Sequence, residues 1–129
     1  MKTILILGAG KSATVLIEFL LSEAPKYAWK VQVADANLSV AKQKVGSSTW
    51  GEGVKLDVTE ETPRQALIGQ SALVISLLPP HLHILVARDC LALSRSLFTA
   101  SYIDEEVKQL APAIQEKGLL FLYEMGLDP

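Results

Sequence analysis

The feature that most constrains this chain is a glycine-spaced turn, Gly8-Ala9-Gly10-Lys11-Ser12-Ala13, set directly after the apolar run Thr3 to Leu7. A G-x-G-x-x-A pattern that leaves a strand and opens a helix has a physical reason at each small residue. Gly8 permits the tight turn. Gly10 lacks a Cβ, so a pyrophosphate can approach the backbone at the helix N-terminus. Ala13 lets the helix pack close to the sheet. The N–H groups around residues 10 to 13 then face the phosphates, supported by the helix dipole. The bland alternative is a tight turn with no ligand. Lys11-Ser12 also fits the end of a P-loop, but that motif needs a further glycine where Leu5 stands, and the P-loop reading is rejected on that ground.

The rest of the chain repeats the same unit. Short aliphatic or β-branched runs predict strands at Thr3 to Leu7, Lys30 to Ala34, Val54 to Leu56, Ala72 to Leu77, Ser96 to Phe98 and Leu119 to Tyr123. Apolar spacing near 3.6 predicts helices at Ser12 to Glu23, Leu38 to Val45, Glu60 to Ile68, His81 to Leu93 and Asp104 to Lys117. Thr59 and Asp104 suit N-caps, Pro63 a first turn, and Gly46, Gly69 and Gly118 helix stops. Pro112 should kink or split the last helix. Alternation of this kind implies an α/β, doubly wound parallel sheet of three layers (a Rossmann fold) with strand order 3-2-1-4-5-6. Its ligand crevice lies outside the carboxyl ends of strands 1 and 4.

Composition supports a single domain over residues 1–129. Half the residues are hydrophobic but only 6% are aromatic, an aliphatic bias suited to strands buried on both faces. With 12 basic and 14 acidic residues, the net charge of −2 leaves no electrostatic footprint for nucleic acid. No basic stripe or long apolar run points to a membrane. The start of the chain has too short an apolar core for a signal peptide. The single cysteine, Cys90, cannot form an internal disulfide. A reducing, cytoplasmic setting is therefore expected.

Asp35 closes the second strand, where a carboxylate can accept both ribose hydroxyls of NAD and would repel the 2′-phosphate of NADP. No arginine follows it, so NAD is expected over NADP. Asp57, at the end of the third strand, either flanks the adenine or serves as a helix N-terminal charge beside Thr59. Leu77, Leu78 and Pro79 leave the fourth strand at the switch point, where apolar atoms would cover adenosine and ribose; a simple turn is the competing reading. His81 and His83 are spaced to point apart on a helix, and no Cys or carboxylate cluster completes a metal set, so no metal is expected. Either histidine could still lie near the cofactor. Cys90 reads as core rather than nucleophile. Trp29 and Trp50 form no pattern for stacking bases. Thr99-Ala100-Ser101-Tyr102 and Glu124-Met125-Gly126-Leu127-Asp128-Pro129 follow strands five and six, so hydroxyls and a carboxylate converge beside the cofactor.

Three of these stretches together, Leu73 to Pro79, Thr99 to Ile103 and Gly126 to Pro129, resemble the glutamate-forming saccharopine dehydrogenases. The likeness extends to the dehydrogenase half of the bifunctional aminoadipic semialdehyde synthase. With the Gly8 loop and Asp35 it covers essentially the whole chain. That resemblance implies oxidation of the secondary amine of saccharopine to an imine, with NAD or NADP as hydride acceptor. Water then splits the imine into glutamate and aminoadipic semialdehyde. It further implies that Ala100, Ser101 and Tyr102 line cofactor and substrate, with Ser101 and Tyr102 touching a saccharopine carboxylate or amine. Leu127, Asp128 and Pro129 would border the nicotinamide. Asp128 would face the substrate amine, orienting it and stabilising iminium-like charge.

The family continues beyond its Leu-Asp-Pro-Gly segment into a large mixed domain that supplies most substrate ligands. A chain ending at Pro129 is therefore expected to be a domain cut off before the substrate domain, inactive alone and prone to self-association through uncovered apolar surface. Alternatives are a related oxidoreductase with another imine or carbonyl substrate, and a regulatory NAD-sensing module without chemistry.

Overall fold

In a computed structural model that describes residues 2–10, 13–99 and 121–123, strands and helices alternate. The order is β1 (Lys2–Leu7), α1 (Thr14–Tyr27), β2 (Trp29–Asp35), α2 (Leu38–Val45), β3 (Gly51–Lys55), α3 (Glu61–Gly69), β4 (Leu73–Ser76), α4 (Pro80–Ala92), β5 (Ser96–Thr99) and β6 (Phe121–Tyr123). The strands form one sheet in the expected order β3-β2-β1-β4-β5-β6, and every pairing is parallel. The expected helix Asp104 to Lys117, with Pro112, lies outside the described residues.

Side-chain alternation along the strands divides the apolar residues between two cores. On one face Ile4, Ile6, Val31, Val33 and Ile75 pack against Leu16, Ile17, Leu20 and Ala24 of α1 and Ala41 and Val45 of α2. On the other face Leu5, Leu7, Val74 and Leu97 meet Ile68 of α3 and Ile84, Val86, Ala87 and Cys90 of α4. Burial on both faces is why these strands read as solid aliphatic runs. Trp50 and Trp29 pack at the margin of the first core, and Trp29 also stacks on Tyr27 with ring centroids 4.7 Å apart.

Several boundaries differ from the sequence reading, each for a local reason. Helix α1 continues past Glu23 through Pro25 and ends at Ala28, in a left-handed conformation with its N–H bonded to the Ala24 carbonyl. Proline is tolerated there because the buried face, Leu20 and Ala24, carries the last turn regardless of one missing donor. Helix α2 is capped by Asn37, whose side chain accepts from the N–H groups of Ser39 and Val40. Thr59 does not cap α3; the N-cap position falls to Glu60, which makes no side-chain cap bond.

The third strand begins earlier than Val54 because glycines replace bulky residues where α2 crosses it. A Cβ added at Gly53 would lie 2.7 Å from the Lys42 backbone nitrogen and 2.9 Å from the Ala41 carbonyl carbon. At Gly51 the obstructing atoms are instead side-chain ends, Leu21 Cδ2 at 2.7 Å and Val45 Cγ1 at 2.8 Å. Backbone cannot retreat as side-chain tips can. Gly53→Ala is therefore expected to cost about 1–3 kcal/mol of stability and Gly51→Ala less, as measured by urea denaturation.

Candidate functional site

At the carboxyl edge of the sheet β1 turns into α1 through Gly8, which has φ +98°, a conformation that other residues rarely adopt. The Gly8 N–H bonds the Ala34 carbonyl at 2.9 Å, and the Ala13 N–H bonds the Gly10 carbonyl at 3.0 Å. Ala13 is fully buried at the start of α1, as the close helix–sheet approach requires. A Cβ built at Gly10 meets nothing within 4 Å, so the backbone there faces open space rather than a neighbouring element. Helix α1 has no side-chain cap from its N-cap residue and no acidic residue in its first turn. Its terminal N–H groups and positive dipole end thus suit an anion.

Asp35 stands at the end of β2 and joins two turns. Its Oδ1 accepts the Ala9 N–H at 3.0 Å, and its Oδ2 accepts the Asn37 N–H at 2.9 Å. Ala9 is buried, so without Asp35 its N–H would lose its acceptor inside the protein. The carboxylate therefore braces the glycine loop from the β2–α2 turn, and its remaining lone pairs stay available to a ligand.

Beside this brace lies a cleft of about 180 Å³, lined by Leu7, Gly8, Ala34 to Ala36, Leu56 to Thr59, Leu78 and Leu82. Enclosing a whole small molecule takes about 300–1,000 Å³, so this space fits one end of a dinucleotide. Asp35 and Asp57 sit in its wall among apolar side chains. Asp57 Oδ1 accepts from the Thr59 hydroxyl at 2.6 Å and the Thr59 N–H at 3.0 Å. The Thr59 hydroxyl, followed by its N–H, holds the Asp57 carboxyl below the ordinary aspartate range. Asp57 thus shapes the turn before α3 and also lines the cleft.

Other expected residues divide. Leu78 lines the cleft, whereas Leu77 packs against the first core and donates its N–H to the Leu7 carbonyl. Pro79 is the N-cap of α4, and its carbonyl accepts from Leu82 and His83. His81 is exposed; His83 is buried, its Nδ1 3.0 Å from the Ser76 hydroxyl. Lys11, Ser12, Ala100, Ser101, Tyr102, Leu127, Asp128 and Pro129 lie outside the described residues. Cleft residues that the sequence reading missed are Leu7, Ala34, Ala36, Leu56, Val58, Thr59 and Leu82. A position at or just beyond a strand end was the available signal for all of them but Leu82, which lies in the first turn of α4. Among the described residues no three His, Cys, Asp or Glu side chains come together, and no helix is long and apolar enough to cross a membrane.

The family described as the saccharopine dehydrogenase NADP binding domain matches residues 4–122. This chain belongs to that family. It is 34% identical to the alpha-aminoadipic semialdehyde synthase of Arabidopsis thaliana, over 98% of this chain and 13% of that protein. It is 30% identical to the NADP(+), L-glutamate-forming saccharopine dehydrogenase of Saccharomyces cerevisiae, over 99% of this chain and 28% of that one. The apo structure of a yeast L-Glu-forming saccharopine dehydrogenase superimposes with a TM-score of 0.89 at 29% identity, covering 100% of this chain and 28% of that one. The chain thus spans between an eighth and under a third of these relatives.

The expected preference for NAD over NADP is overturned by these matches, since the family and the yeast relative are both described by NADP. Two features explain why the sequence argument misled. Asp35 already has a structural task, so its presence is no measure of ribose selectivity. An arginine following Asp35 in the chain is also not the only cation that can stand beside it. In the sheet, Lys55 is the register partner of Asp35 on the neighbouring strand and is exposed, and a lysine can receive phosphate as a point charge.

Cys90 is fully buried in the second core. Burial first, then the neighbouring Asp89 charge, pushes its thiol up to about 12. The thiolate is the reactive species, so the folded chain at pH 8 should react with a disulfide reagent only as fast as it unfolds. The unfolded chain releases this proton at lower pH, so stability should fall as pH rises from the ordinary cysteine range toward 12. Asp35→Ala should lower the apo melting temperature by the equivalent of about 1–3 kcal/mol; a carboxylate serving only a ribose would leave it unchanged.

Proposed function

We propose that this chain is the NADP-binding portion of an enzyme that oxidises the secondary amine of saccharopine. The supporting observation is the Asp35-braced glycine loop opening onto an apolar cleft, in a family described by NADP binding and saccharopine dehydrogenase. Gly10 and the first turn of α1 would hold the diphosphate. Val58 and Leu82 would offer apolar surface to the adenosine, and Asp35 would serve the ribose. Lys55 supplies the positive charge for the 2′-phosphate.

NADP, when bound, accepts a hydride from the carbon beside the substrate nitrogen. The resulting imine takes up water and divides into glutamate and aminoadipic semialdehyde, with one proton released. By resemblance to the family, Ser101 and Tyr102 would contact the substrate's amine or carboxylates. Asp128 would serve the amine and stabilise the cationic character that develops there, and Leu127, Pro129 and Ala100 would serve the nicotinamide. Most substrate contacts are assigned to further protein beyond this stretch, consistent with the small share of each relative that the chain spans. On this reading the chain alone binds dinucleotide and does not turn over substrate, and self-association is a further expected property.

Calorimetric titration tests the cofactor assignment. The chain should bind NADP several-fold more tightly than NAD, and Lys55→Met should remove that difference while leaving NAD affinity unchanged. Equal affinities for both dinucleotides, or tighter NAD, would overturn it.

A further inference from the structure

A buried ion pair stands behind the cleft wall. Arg64 of α3 and Asp89 of α4 are only 6% and 5% exposed. The Arg64 Nε donates to Asp89 Oδ2, and its Nη2 reaches Asp89 Oδ1 at 3.4 Å. The third arm of the fork, Nη1, donates to the Val58 carbonyl at 2.8 Å. Gln65 adds a bond to Asp89 Oδ1 at 3.0 Å. One guanidinium thus joins α3, α4 and the segment between β3 and α3.

Two of those three partners carry cleft residues. Val58 is itself in the cleft wall, flanked by Asp57 and Thr59, and α4 contributes Leu82 to the lining. A buried ion pair contributes little net stability compared with apolar residues of similar volume, because both charges lose their water. Helix α3 and helix α4 already share the second core through Ile68, Ile84 and Ala87. What apolar packing cannot supply is a fixed position for a carbonyl in an irregular segment. Arginine can, because its planar fork holds a carboxylate and a third acceptor at once.

We infer that Arg64, held by Asp89, is a positioning residue for dinucleotide binding: it fixes the Val58 segment so that the adenosine end of the cleft is formed before the ligand arrives. This rests on the cofactor reading above and goes beyond it by assigning a role to residues that touch no ligand. Preorganisation of this kind appears in affinity rather than in stability.

The test separates the two. Arg64→Met with Asp89→Leu replaces the pair by apolar side chains, and the double variant should melt near the temperature of the unmodified chain, relief from desolvating two charges offsetting the lost donor to the Val58 carbonyl. Its affinity for NADP, and for 2′,5′-ADP as the adenosine-side fragment, should fall about tenfold. Arg64→Lys provides a second route: it keeps an ion pair with Asp89 but has no fork to reach Val58, and should lose affinity to a similar degree. Undiminished binding of both ligands by a folded double variant would overturn the inference while leaving the cofactor reading intact. A loss of affinity matched by a lower melting temperature in both variants would also overturn it, as a purely structural role. Failure of the unmodified chain to bind either ligand would overturn both readings.

Discussion

A single carboxylate organises the candidate site. Asp35 takes the Ala9 N–H on one oxygen and the Asn37 N–H on the other, joining the glycine loop to the turn that starts α2. Asn37 in turn caps that helix by accepting from Ser39 and Val40. The loop after β1 therefore owes its position to a residue 26 positions away, and the hydrogen-bond chain runs on into α2. Charge-assisted bonds to backbone N–H groups are among the stronger ones available. They suit a loop that must present its own backbone to a ligand and so cannot be covered by side chains.

The two cores explain why the rest of the edge can be left open. Because both sheet faces are buried by helices, the carboxyl ends of β1, β2 and β3 do not need side chains for cohesion and can line a cleft instead. The apolar wall of Leu56, Val58, Leu78 and Leu82 continues the second core outward to solvent, since Leu78 and Leu82 also pack against it. A ligand ring placed there extends the hydrophobic core by one further layer. The polar members, Asp35 and Asp57, are each tied to neighbouring backbone before any ligand comes, so their orientation is set in advance.

Legibility in the sequence followed the range of the interaction. The strands Thr3 to Leu7 and Ala72 to Leu77 are rich in aliphatic residues, and the order of the sheet follows from their alternation with helices. β3 was placed late because Gly51 and Gly53 look like turn residues; only the crossing of α2 shows why they are needed. The helix expected over Ser12 to Glu23 runs on through Pro25 because the packing of Ala24 carries its last turn. Gly8, Asp35, Asp57 and Leu78 were found as cleft residues by their place after strands. The bracing task of Asp35 was hidden because its partner is a backbone N–H, which any residue provides. Arg64 and Asp89, 25 positions apart on different helices, carried no local signal at all. The NADP assignment came from relatives; that Lys55 stands beside Asp35 in the sheet is a fact of strand register that the order of the chain does not display.

The glycines of β3 have one more consequence, which concerns neighbouring molecules in solution. β3 ends the sheet on one side, and a border strand offers a row of free amides and carbonyls to any extended chain that approaches. Here that strand is five residues long, with exposed Glu52 and Lys55 and two positions that have no side chain. Few apolar side chains remain to reward a foreign strand, and the charges resist stacking of like copies. The same glycines that let α2 settle against the strand thereby make it a poor template for amyloid-like growth.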